Sequence, residues 1–305
     1  MVFNFRLLRI REYLQALRPH IVLMSIPCWL IGLSLAYSKG YFNLTNAILT
    51  LMGAILLHLS VNAFNEVFDF LRGNDSVDNV SEYSGGGGYL VRGIISPFEM
   101  GTFALILFLL GCSIGVYIGL QHKIIFVIGF IGAMMILLYT PIFKPVGLGE
   151  IAMIVGFSMI SIGTYVSMFN TENYLFTIND FLVFLLPGLW KSTVLIINEF
   201  PDYENDKKAN VKNWIVRFGY KRTSLIYFFM MIIFYSTVIY LFIIGFLNVW
   251  ALASLITVPL FLKIFVNSMN YKNLEKHLPI MRQQVNLGYI SLGFISLSLF
   301  FMKIF

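Results

Sequence analysis

Two stretches of the chain carry oxygen ligands at helical spacing. HLSVNAFNEVFDFLRGNDSVD (58–78) sets His58, Asn62, Asn65 and Asp69 at steps of four, three and four residues, one stripe on a helix. Gly73 marks where that helix should end, and Asp75 follows in the turn. WKSTVLIINEFPDYENDKKANVKNWIVRFG (190–219) sets Lys191, Asn198, Asp202 and Asp206 at steps of seven, four and four. Pro201 interrupts this second stripe, so a kink or a restarted helix is expected there. Both stretches contain N-x-x-x-D. Hard cations take oxygen ligands, and Mg²⁺ is usually held by a few carboxylates together with substrate phosphates. Carboxylates alone would repel a diphosphate, so the pairing makes sense with a bridging metal. Arg18, Arg72, Lys144, Lys207 and Lys208 add cations at the same end of the helices. The expected ligand is a polyprenyl diphosphate, its head at this site and its tail among Phe, Leu and Met. A calcium loop is the rival, but neither stretch fits D-x-[DN]-x-[DN]-G-x₅-E.

Helices that cross a membrane have to position these groups. Of 305 residues, 58% are hydrophobic and 12% charged, whereas soluble domains carry about a quarter charged. That excludes an ordinary soluble enzyme and a disordered chain. Apolar runs predict spans near 21–39, 44–70, 98–120, 123–140, 148–169, 178–198, 222–246, 248–268 and 286–303. The expected fold is all-α: a polytopic membrane protein of nine transmembrane helices around a central cavity, one domain over residues 1–305. The N-terminus is basic and amphipathic and lacks a small-residue cleavage site, so no signal peptide is expected. Cys28 and Cys112 lie in apolar runs and read as core residues.

With the N-terminus inside, sixteen of the 21 Lys and Arg fall on the cytoplasmic side and three on the other. The expected location is therefore the cell membrane, with the N-terminus and both motif loops cytoplasmic and the C-terminus outside. Thirteen of the 15 carboxylates share the cytoplasmic side, all but Glu172 and Asp180. Nine of them crowd into the two stretches: Glu66, Asp69, Asp75, Asp78 and Glu82, then Glu199, Asp202, Glu204 and Asp206. Charge at the edge of the hydrocarbon is costly, which makes these residues functional candidates. The plain alternative is two solvated acidic loops. Each motif ends an even-numbered span, with three spans between them, which suggests two pseudo-repeated halves facing one another.

At this point the residues resemble the UbiA-type superfamily of intramembrane aromatic prenyltransferases. That family carries an N-x-x-x-D-x₅-D or shorter first motif and a D-x-x-x-D second motif. Asn65, Asp69 and Asp75 match the longer first form, and Asp202 and Asp206 match the second, preceded by Asn198. Arg18-Pro19 opens the first span as the family's R-P does, YTPIFKPVGLGE (139–150) resembles its tyrosine-bearing loop, and TYVSM (164–168) follows. The Asp69–Asp75 gap, GLGE and NEFPDYENDKKA resemble the menaquinone-type, 1,4-dihydroxy-2-naphthoate branch. R-P-[IL]-x-S-G of other branches is missing, and SGGGGYLVRGIISP (84–97) stands in its place. Glu66 departs from the usual Asp, and Asn205, Asn210 and Asn213 stand where the second motif often has Gly or Thr.

The resemblance implies a prenyltransferase that moves a polyprenyl group from its diphosphate to an aromatic acceptor in the bilayer. It implies Mg²⁺ held by Asn65, Asp69, Asp75, Asn198, Asp202 and Asp206. Arg72 and Lys144 would bind diphosphate oxygens as the C–O bond breaks; as the plain alternative, both are ordinary cytoplasmic loop charge. Lys207 would assist, or belongs to the basic run reaching Arg222. Arg18 would cap the site, or anchors the first helix at the headgroups. Tyr139 would stabilise the allylic cation with its ring face, or is an interfacial belt residue. Lys191 would receive the acceptor's acidic group or the diphosphate, or pairs with an acid in the bundle. His58 reads as a helix-packing residue rather than a metal ligand, and the 85–88 glycine run as a linker. No nucleic-acid partner is expected.

Three rivals remain. Another UbiA-type enzyme, acting on 4-hydroxybenzoate or geranylgeranylglyceryl phosphate, would use the same metal site. A cation-coupled transporter would distribute its ionisable groups near the bilayer midplane, whereas these gather at one interface. A CDP-alcohol phosphotransferase would carry D-G-x-x-A-R, which is absent.

Overall fold

A computed structural model describes residues 10–73 and 88–303; Asp75, Asp78, Glu82 and the glycine run before Gly88 lie outside them. The regular elements among the described residues are helices: α1 (Ile10–Ala16), α2 (Pro19–Ser38), α3 (Leu44–Arg72), α4 (Pro97–Gly119), α5 (Ile124–Phe143), α6 (Gly149–Ser167), α7 (Ile178–Asn198), α8 (Tyr203–Lys208), α9 (Trp214–Ile243), α10 (Val249–Met269) and α11 (Leu274–Phe300). Eight of them, α2 to α7 with α9 and α10, are long and apolar enough to cross a membrane. The 27-residue α11 completes the bundle as a ninth long helix.

Local chemistry sets the helix ends. Asn43 caps α3 by accepting from the Asn46 N–H at 3.0 Å, and Gly73 ends the same helix in the left-handed conformation at φ 73°. Reciprocal capping boxes open α4 through Ser96 and Glu99 and α7 through Thr177 and Asp180. Two helices begin earlier than hydropathy alone predicts. The seventh span was expected from 222, but α9 starts at Trp214 and breaks at Gly219, whose φ 73° and ψ 171° are not helical. The ninth was expected from 286, but α11 starts at Leu274. Its polar first turns are accommodated by partners: His277 meets the Ile197 carbonyl at 2.8 Å, and the Gln284 amide donates to Thr193 Oγ1 at 2.8 Å. Satisfied polar groups let a helix run on where hydropathy averages read an end.

The bundle closes around α6, which packs against both α2 and α7. Gly32 of α2 and Gly188 of α7 allow this close approach. A Cβ at either position would collide with a backbone carbonyl of α6, Ser161 or Ile154 respectively. Outward faces carry Leu109, Phe130, Phe229 and Ile243, as lipid contact requires. Charges separate to the two ends of the bundle. Lys39 pairs with Asp180 at 2.7 Å and Glu172 accepts from the Lys123 N–H at 2.8 Å at one end, while both motifs lie at the other.

Candidate active site

The first motif rides on the last turns of α3, the helix that Gly73 terminates. Asp69 is buried there and pairs with Lys144 Nζ at 2.8 Å. Lys144 directly follows Phe143, where the end of α5 widens into a π-helical turn, Tyr139–Phe143. Such turns free carbonyls and are frequent at functional sites. Here the freed carbonyls of Thr140 and Pro141 accept from the Arg72 guanidinium, the latter at 2.9 Å, and Thr140 Oγ1 donates to Asn65 Oδ1 at 3.1 Å. Arg72 thus clamps the first motif to the tyrosine-bearing turn. Tyr139 is buried in that turn and lines an apolar cavity below it.

The second motif meets the same lysine. α7 ends at Asn198, the chain turns through Pro201, and α8 restarts at Tyr203, so the expected interruption is a restarted helix. Asp206 is buried and accepts from Asn213 Nδ2 at 2.8 Å. Burial, and then the Asp69 charge, push its carboxyl above the usual range, while Lys144 opposes them. Lys144 loses charge stabilisation by burial, yet the carboxylates of Asp69 and Asp206 hold its ammonium well above the ordinary lysine range. One buried cation therefore pairs with the first motif and feels the charge of the second, more than a hundred residues away in sequence.

The remaining expected residues sit at graded distances from this centre. Asp202 is half-buried at the start of α8, and Asn198 Oδ1 is buried without a hydrogen-bond partner. Arg18 holds a left-handed φ of 51° at the start of α2, beside Leu17, whose carbonyl accepts from Asn62 of the first motif's stripe at 3.1 Å. Lys207 is exposed and lies over the Tyr203 ring at 5.5 Å. Lys191 lies deeper in α7 and contacts no described acid; Met24 Sδ, at 3.1 Å, is its polar neighbour. His58 packs as expected, its Nδ1 2.8 Å from Ser25 Oγ. Asp75 lies outside the described residues.

Three supporting residues, Glu150, Asn213 and His277, were given no role by the motifs, and Glu199 was noted only among the crowded carboxylates. Glu150, of GLGE, accepts from the Trp214 N–H at 2.9 Å and sits against Glu199. Burial, then the Glu150 charge, push the Glu199 carboxyl well above the usual range. Asn213 holds Asp206, and His277 receives the end of α7 and stacks on Phe200. GLGE and N-E-F-P-D were visible in the sequence; nothing local says that they touch.

The cavity holds about 200 Å³ and is lined by residues of α3, α4, α5 and α6. Apart from Thr50, His58, Tyr139 and Thr164, its lining is apolar or glycine. An anionic head at Lys144 with a hydrocarbon tail below Tyr139 fits this shape. The donor types also fit a hard cation: both motifs supply carboxylate and amide oxygens, and one buried amide oxygen, Asn198 Oδ1, is unpaired. Among the described residues no three acidic, His or Cys side chains enclose an ion by themselves.

Known proteins share both sequence and shape. The chain is 27% identical over 226 residues to the 1,4-dihydroxy-2-naphthoate octaprenyltransferase of Escherichia coli K12, covering 69% of this chain and 70% of that protein. A solved digeranylgeranylglyceryl phosphate synthase superposes with a TM-score of 0.66 at 20% identity, covering 96% of this chain and 99% of that one. The Archaeoglobus fulgidus UbiA homolog bound to DMAPP and Mg²⁺ superposes at 0.58 with 18% identity, covering 92% and 99%. Residues 25–290 match the UbiA prenyltransferase family. A nine-helix membrane fold, two facing acidic motifs and this match together make the chain a prenyltransferase belonging to the UbiA family.

Proposed function

We propose that the protein transfers a polyprenyl group from a polyprenyl diphosphate to 1,4-dihydroxy-2-naphthoate or a related fused-ring acid, with Mg²⁺ as its metal. The observation that carries the site is Lys144, paired with Asp69 at 2.8 Å and within the electrostatic reach of Asp206, beside the Tyr139 turn that lines an apolar cavity. The acceptor reading is supported by the Asp69–Asp75 gap, GLGE and the E. coli relative's activity. Asn65, Asp69 and Asp75 would hold the metal from one side, and Asn198, Asp202 and Asp206 from the other. When bound, Mg²⁺ neutralises diphosphate oxygens and eases departure of the leaving group.

The chain's own residues do the rest. Lys144 has a flexible stem and turns its ammonium from Asp69 to the diphosphate. Arg72 keeps the Tyr139 turn against the first motif, so the tyrosine ring faces the allylic carbon as positive charge develops. The surrounding helices exclude water from that carbon. The C–O bond to diphosphate breaks, a C–C bond to the electron-rich ring forms, and the ring loses a proton.

Purified protein incubated with a labelled polyprenyl diphosphate and an acceptor panel tests this. Transfer to 1,4-dihydroxy-2-naphthoate is expected, abolished by EDTA and restored by Mg²⁺. Activity that survives EDTA removes the metal. If only 4-hydroxybenzoate or geranylgeranylglyceryl phosphate is prenylated, the acceptor is wrong and the family chemistry stands.

The site should face the cytoplasm, with the C-terminus outside. Cysteines placed at Asn79 and Asn210, in a background lacking Cys28 and Cys112, should resist impermeant thiol reagent in intact cells and react after permeabilisation. Labelling of either from outside reverses the topology.

A further inference from the structure

Lys191 is a buried cation without a buried anion. It lies seven residues before Asn198 on α7, about 10 Å into the bundle from the motif end at 1.5 Å per residue. Its Nζ rests 3.1 Å from Met24 Sδ and 4.9 Å from the centre of the Phe157 ring. Neither carries negative charge. The other lysines reaching into the bundle have carboxylates, Lys144 with Asp69 and Lys39 with Asp180. A lone ammonium at this depth is costly, and such residues mark substrate paths.

The surroundings say what would complete it. Phe157 and His58 both line the cavity and meet edge to face, with ring centres 5.2 Å apart. The ammonium therefore stands directly behind an aromatic wall of the cavity. Phe157 lies eight residues, about 12 Å, along α6 from Gly149, against which the Tyr139 ring packs. A diphosphate held by the motifs at the helix ends stays well above this wall. A flat ring on the cavity side of Phe157 would reach Lys191 only with an acidic substituent that passes the edge of the Phe157 ring, between it and the His58 ring that it meets edge to face.

We propose that Lys191 is the anion anchor of the acceptor subsite, pairing with the carboxylate of an aromatic acid whose ring packs on Phe157. This rests on the reading of the protein as a transferase to aromatic acceptors. Exchange of a thioether neighbour for a carboxylate needs only side-chain rotation, because Lys and Met are both unbranched and flexible.

The test compares two stable probes, 1-hydroxy-2-naphthoate and 1-naphthol, which differ by the carboxylate. Equilibrium binding is measured on the full chain in detergent for wild type, Lys191→Met and Lys191→Arg. Wild type should prefer the carboxylated probe by roughly tenfold or more, as a charge-assisted contact would give. Lys191→Met should lose that preference while binding 1-naphthol as before, and Lys191→Arg should keep part of it. In turnover assays, Lys191→Met should raise the acceptor KM and leave the diphosphate KM unchanged. No preference in wild type overturns the proposal whatever the variants do. So does a preference retained in Lys191→Met, an equal loss for both probes, or a rise confined to the diphosphate KM. A wild type that shows the Lys191-dependent preference but transfers no prenyl group upholds the anchor and defeats the transferase reading; transfer without the preference does the reverse.

Discussion

Asp69→Ala and Asp202→Ala should each lower prenyl transfer by about 10²–10³-fold, the scale of losing one preorganised charge-stabilising group. Each aspartate is central to its motif, and the charges of Asp69 and Asp206, from α3 and α8, act on one lysine. Their structural costs should differ. Asp69 is buried against Lys144, so its removal strands an ammonium whose side chain is only 14% exposed. The charge of Asp206 acts on the same ammonium and offsets part of that loss. Asp202 is half-buried and makes no side-chain cap to the α8 helix it starts. Because Asp202 is less buried than Asp69, Asp202→Ala should melt closer to wild type than Asp69→Ala does and still be inactive. Substantial transfer by both variants would end the two-motif site.

Gly188→Val should destabilise the protein by roughly 3 kcal/mol, as overpacking of a well-packed interface does. The side chain would enter the Ile154 carbonyl and Ser158 Oγ of α6, and a backbone atom within a packed helix cannot turn aside. Gly132→Ala is the control: it lines the cavity, and its Cβ would meet nothing within 4 Å. A thermal melt in detergent decides. If Gly188→Val melts like Gly132→Ala, α6 and α7 are not packed this closely.

The acidic stripe of α3, its end at Gly73, the break at Pro201 and the crossing helices were all legible along the chain. Each depends on residues within a few positions of one another: period, a left-handed glycine, a missing proline N–H, a run of apolar side chains. The early start of α11 was not, because Gln284 and His277 are tolerable in a helix only once Thr193 and the Ile197 carbonyl stand opposite. The same limit hid Glu150 against Glu199, Asn213 behind Asp206, and the confinement of the cavity to four helices. Periodicity tells which face of a helix is special but not which other face it meets. That Lys144, rather than the exposed Lys207, pairs with Asp69 and feels the charge of Asp206 was decided by how α3, α5 and α8 pack, because side chains distant in sequence share an electrostatic field only after the helices bring them together.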